Sequence, residues 1–151
     1  MNARTIHRPS RVVALLFAAL ILVAGCGKSD ATSQAKPAEN GPRVEIIALD
    51  HRPMRPIVAE IDALLDPVRD RVAVHRYDAE SDDGKKLAEA NGLTGHVAIL
   101  VLINGKPDVT LGERTVRFTG FPRGKAPMKS AEGDWTMEDL RAALDQELAK
   151  R

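Results

Sequence analysis

The stretch Gly95-His96-Val97-Ala98-Ile99-Leu100-Val101-Leu102-Ile103-Asn104-Gly105 decides how this chain folds. From Val97 to Ile103 it is apolar without interruption. A strand with one face in water alternates apolar and polar residues. An unbroken run implies burial on both faces, as at the centre of a sheet covered by helices. Asn104-Gly105 supplies the two residues that a tight hairpin turn needs at positive φ. Beyond it, Val109-Thr110-Leu111 and Thr115-Val116-Arg117-Phe118-Thr119 are expected to return as antiparallel strands.

Upstream, Val44-Glu45-Ile46-Ile47-Ala48-Leu49 is a β-branched run that predicts a first strand. Ile57, Val58, Ile61, Leu64 and Leu65 recur at helical spacing between Pro53 and about Val68. Pro53 suits the first turn of that helix, Pro56 is tolerated there or kinks it, and Pro67 ends it. Val72-Ala73-Val74-His75-Arg76-Tyr77 reads as a second strand. Ser81 or Asp82 caps a helix running to Asn91, and Gly92 stops it. Thr136 opens a capping box with Asp139, ahead of a helix with Leu140, Ala143, Leu144 and Leu148 on one face. The order is β-α-β-α-β-β-α, an α/β class, with no internal repeat.

The chain has 151 residues, enough for one domain, with 22 Lys and Arg against 21 Asp and Glu. This balance offers no broad basic footprint for nucleic acid. Only 3% of residues are aromatic, so the core must be built from Val, Ile, Leu and Ala. A single cysteine, Cys26, rules out an intramolecular disulfide.

The first residues carry Arg4, Arg8 and Arg11 and no acid, and every residue from Val12 to Ala24 is apolar. That run is too short for a membrane span of about 20 residues and suits the apolar region of a secretory signal. It ends in Leu22-Val23-Ala24-Gly25-Cys26, which resembles the bacterial lipobox. The resemblance implies a signal peptide over residues 1–25, removed before Cys26, with acyl chains on the cysteine thiol and on its new amino group. Losing the three arginines would take the formal net charge from +1 to −2. Gly27 stands where an Asp would mark inner-membrane retention, which favours the outer membrane, periplasmic face. Residues 26–42 are rich in Ser, Ala, Lys, Gly and Pro and read as a flexible tether, about 20 Å across as a coil. The folded domain is then 43–151.

The order of elements and two stretches resemble the thioredoxin fold. Gly95 to Gly105, led in by Asn91-Gly92-Leu93-Thr94, is similar to the family segment that enters the cis-proline loop, the central strand and an Asn-Gly turn. Asp50-His51-Arg52-Pro53-Met54-Arg55-Pro56-Ile57-Val58-Ala59-Glu60-Ile61 is similar to its active-site turn and first long helix. The resemblance implies a three-layer sandwich with a mixed sheet of four to five strands and flanking helices, over about Arg43 to Ala149. His51 and Met54 stand where the two redox cysteines would be, and Val97 occupies the cis-proline position. A non-proline cis bond costs about 2.5–4 kcal/mol, so Val97 is expected trans in a reshaped loop. The segment from Asn104 to Phe118 is longer than in a minimal thioredoxin.

Dithiol exchange needs an attacking thiolate and a resolving thiol, and the mature domain has neither. The expected function is therefore a redox-inactive, lipid-anchored module that binds a protein or peptide in the cell envelope. The alternative is metal handling: if the resemblance holds, His51, Met54 and His96 converge, and two imidazoles with a thioether make a soft set for Cu(I). Copper-delivery proteins of the Sco kind use this fold and pocket, though with cysteines. Against this stands the plainer possibility that both histidines are loop residues and Met54 packs beneath the helix. The basic loop Phe121-Pro122-Arg123-Gly124-Lys125-Ala126-Pro127-Met128-Lys129 is a second candidate surface, with Phe121, Arg123 and Lys125 facing a partner or Phe121 folding onto the core. His75 lies within a strand. Asp82-Asp83 and Glu138-Asp139 fit helix N-termini, where the dipole favours acids. No catalytic residues are expected, because no phosphate loop, HExxH zinc motif or G-x-S-x-G elbow is present. If Cys26 carries the anchor, Cys26→Ser should move the protein from the membrane fraction to the soluble fraction; retention in membranes by the variant would refute the anchor.

Overall fold

A computed structural model describes residues 40–150. The expected leader, Cys26 and the expected tether up to residue 39 lie outside the described residues. The elements are β1 (Arg43–Ala48), α1 (Arg55–Leu65), a 3-10 turn (Asp66–Val68), β2 (Ala73–Asp78), α2 (Asp82–Ala90), β3 (Ile99–Ile103), β4 (Asp108–Leu111), β5 (Arg114–Arg117), a second 3-10 turn (Lys129–Ala131) and α3 (Met137–Ala149). The result is a mixed α/β fold.

The main sheet has the order β2-β1-β3, with β1 parallel to β2 and antiparallel to β3. All five residues of β3 are buried, as are Val44 to Ile47 of β1. The strand begins at Ile99, and Val97 and Ala98 belong to the loop before it. The helices that cover the sheet follow their sequence patterns. In α1, Ile57, Ile61, Leu64 and Leu65 turn inward at i, i+4, i+7 and i+8. Ser81 caps α2 by accepting from the Gly84 N–H at 3.0 Å. Thr136 and Asp139 form the reciprocal capping box of α3 at 3.1 and 2.9 Å. Asp139 also meets Arg114, which ties the start of α3 to β5.

The main sheet has three continuous strands instead of four to five. Asn104 (φ 53°) and Gly105 (φ 78°) make the expected turn, and Lys106 comes back beside Ile103. Pro107 follows, and without an N–H it cannot extend the ladder. The chain leaves as a separate β4–β5 ribbon, and only Phe118 to Gly120 rejoin the sheet. There the Val101 N–H donates to the Phe118 carbonyl at 2.9 Å and the Gly120 N–H to the Ile99 carbonyl at 3.0 Å. The Asn104 side chain holds the turn down. It accepts from the Arg43 N–H at 2.9 Å and donates to Glu147 of α3 at 2.9 Å.

Trp135, the sole tryptophan, is fully buried. Its ring meets Phe118 edge-on at 5.5 Å, and its Nε1–H donates to the Thr119 and Gly120 carbonyls at 3.2 and 3.1 Å. Gly133 passes so close that a Cβ there would sit 1.9 Å from the Thr119 oxygen. Together these contacts hold residues 119–135 on the core. One charged side chain of β1 is buried: Glu45 is 3% exposed, and its Oε2 is 3.2 Å from Arg43 Nε, in ion-pair contact without hydrogen-bonding geometry. Trp135→Ala should cost about 3–5 kcal/mol, and Trp135→Phe, which loses only the indole N–H bonds and part of the volume, should cost clearly less. Urea unfolding followed by circular dichroism checks both, and equal costs would overturn this ranking, because the N–H bonds that both variants lose would then carry the whole effect.

Candidate functional site

Ala48 pairs with Ile99, so the loop leaving β1 and the loop entering β3 meet at one end of the sheet. The Leu49 N–H donates to the Ala98 carbonyl at 3.3 Å and links them. The chain then turns tightly, with the Met54 and Arg55 N–H groups both bonded to the His51 carbonyl at 2.9 and 3.2 Å. This turn lifts His51 into solvent and sends Met54 inward. His51 and His96 are both exposed, with ring centroids 6.2 Å apart and planes at 87°. Two residues 45 positions apart in sequence are thus neighbours. An ion held by one nitrogen of each ring at about 2 Å would place the centroids on the order of 6 Å apart, so the spacing fits a shared ion.

Met54 does not join them. It is 3% exposed and belongs to the hydrophobic core, because it is the residue from which α1 starts and its side chain is turned toward that helix's buried face. Bringing its sulfur to the imidazoles would remove it from that packing. Among the described residues no group of three or more His, Cys, Asp or Glu side chains is arranged to hold a metal ion.

Phe121 is also core, at 4% exposure. Its N–H donates to the Ala131 carbonyl at 2.9 Å and its carbonyl accepts from the Gly133 N–H at 2.7 Å. Of the two placements that the sequence left open, the structure takes the one in which Phe121 folds onto the core and does not face a partner. Arg123 pairs with Asp134, and Lys125 reaches Glu60 of α1 at 2.6 Å. The exposed apolar residue of this loop is Met128, at 62%.

Two features escaped the sequence reading. The first is a pair on the β1–α1 turn, Arg55 Nε to Asp50 Oδ1 at 2.9 Å. The hydrogen bond and charge of Arg55 hold the Asp50 carboxyl below its ordinary range. The pair therefore adds stability above the usual carboxylate range, and that stability is lost as the pH falls through the lowered value. Full exposure keeps the effect small. An acid five residues before an arginine was visible in sequence, but the turn that joins them was not.

The second feature is backbone. Gly95 (φ 82°) breaks the approach to β3. Among the described residues, the backbone groups of residues 95–97 form no hydrogen bond to other backbone groups or to side chains. The segment lies between two clefts that share His96 and Val97. One, of about 390 Å³, is bounded by Leu49, Glu80 and Lys85. The other, of about 430 Å³, is bounded by Leu93, Thr119, Gly120 and Ala131. A third hollow, of about 370 Å³, opens between α1 and the β1–β2 pair, floored by Ile46, Ala48 and Val58.

No protein-family model matches the chain, and no curated protein matches it.

Proposed function

We propose that this chain is a thioredoxin-like lipoprotein of the cell envelope, held by a lipid on Cys26, that binds an extended segment of a protein partner and performs no thiol chemistry. The reading rests on the unbonded backbone of residues 95–97 between its two clefts. The unpaired N–H and C=O groups of this loop are available to a second backbone, and the flanking clefts can take its side chains. The β-α-β-α-β order, with β1 parallel to β2 and antiparallel to β3, is compatible with a thioredoxin-like arrangement. The absence of any cysteine after Cys26 supports the non-redox part. A photo-crosslinking amino acid in place of the exposed Thr94 should capture a discrete envelope protein. The same group in place of Glu113, at the tip of the β4–β5 ribbon, should not. Equal labelling from both positions would overturn the reading.

The 6.2 Å approach of His51 to His96 favours a second reading, Cu(I) held between the two imidazoles. Titration of the purified chain with Cu(I) against a competing chelator should then show micromolar or tighter binding. His51→Ala and His96→Ala should each weaken it at least about tenfold, since a two-ligand site loses half its donors. Affinity unchanged in either variant would end this reading.

A further inference from the structure

β2 forms one side of the main sheet and, among the described residues, pairs only with β1. In a parallel pair, alternate residues of a strand turn both backbone groups toward the neighbour. The Ala73 and Ala79 N–H groups donate to Pro42 and Ala48, so the odd-numbered residues face β1, and Val74, Arg76 and Asp78 face outward. Among the described residues, no hydrogen bond reaches the outward backbone groups of Val74 or Arg76. A free edge of this kind templates pairing unless proline, a bulge or an outward charge blunts it. The strand has no proline. Its one cation, Arg76, is drawn away to Asp62 of α1.

Its charges indicate what would cover it. Arg76 and Asp78 lie on one face of the strand, two residues apart. If two copies of β2 meet antiparallel about Tyr77, each Arg76 lies opposite the other copy's Asp78, and the two Tyr77 residues face each other. The outward backbone groups then coincide in the order that an antiparallel ladder requires. The Asp78 N–H donates to the Arg76 carbonyl of the second copy, in both directions. The Asp78 carbonyl already accepts from the Ser81 N–H at 3.0 Å and from the Ser81 hydroxyl at 2.6 Å; the exposed Ser81 hydroxyl turns to water when the second copy's Arg76 N–H takes its place, since a carbonyl has two lone pairs. Asp62, Arg76 and the second copy's Asp78 form a three-membered charge network, within the donor capacity of a guanidinium. We propose that this edge is a self-association surface, through which two copies of the chain join their sheets antiparallel along β2.

Residues facing each other in a non-hydrogen-bonded antiparallel pair have Cα atoms about 4.5 Å apart, within disulfide reach. Tyr77→Cys in the full chain, treated with diamide, should run on a non-reducing gel as a reductant-sensitive band of twice the monomer mass. The parent chain sets the background for Cys26, and Glu113→Cys should stay at that background. In the Tyr77→Cys background, Asp78→Asn should cut the dimer band several-fold, because the amide keeps the bond from the Glu80 N–H (2.9 Å to Asp78 Oδ1) and loses only the charge. A dimer band no stronger than that of Glu113→Cys, or adducts with other proteins in its place, would overturn self-association. A yield unaffected by Asp78→Asn would overturn the charge-paired register.

Discussion

Complete withdrawal of Ile99–Ile103 from water is the constraint on which the rest of this structure depends. Each of these side chains contributes on the order of 1.5–3 kcal/mol when fully buried, but only if both faces of β3 are covered and both edges are paired. β1 takes one edge and Phe118 to Gly120 take the other. The covering layers come from the inward faces of the helices, all of which join one core with the strands. The ends of β3 are then fixed as well. At one end the Asn104 turn is tied to Arg43 and Glu147, and at the other Ala48 meets Ile99.

The second edge of β3 has a cost of its own. Pro107 releases the chain after one residue of pairing, and the β4–β5 ribbon intervenes before Phe118 returns. The return is secured by the indole of Trp135, which donates to two successive carbonyls in the returning segment. A buried indole needs a partner for its N–H, and here it supplies the donor that an interrupted ladder leaves short. The following loop folds inward for the same reason: Phe121 and Ala131 carry its backbone bonds, and two of its three cations, Arg123 and Lys125, are matched by Asp134 and Glu60. A loop that looks basic in sequence thus presents largely neutralised charge.

The loops at the Ala48–Ile99 end obey weaker rules. They carry the exposed imidazoles, the Asp50–Arg55 pair and unpaired backbone, all of which water can satisfy. Groups that the fold does not require for its own hydrogen bonding are free to meet a ligand. On the Trp135 side, by contrast, the indole N–H, the Phe121 backbone and Arg123 already have partners.

Local patterns in the sequence determined the elements. The apolar run fixed β3, the Asn-Gly pair fixed the turn, and Ser81 and Thr136 with Asp139 marked two helix starts, because each depends on neighbours within a few residues. The lack of a second cysteine likewise excluded dithiol chemistry from the chain alone. Tertiary structure decided what distant segments do to one another. It interrupted the fourth strand at Pro107, buried Met54 and Phe121, placed Glu45 inside the sheet and brought His51 within 6.2 Å of His96. Side chains such as Met and Phe are stable in a core or at a surface, and only the packing of segments far apart in sequence selects between the two.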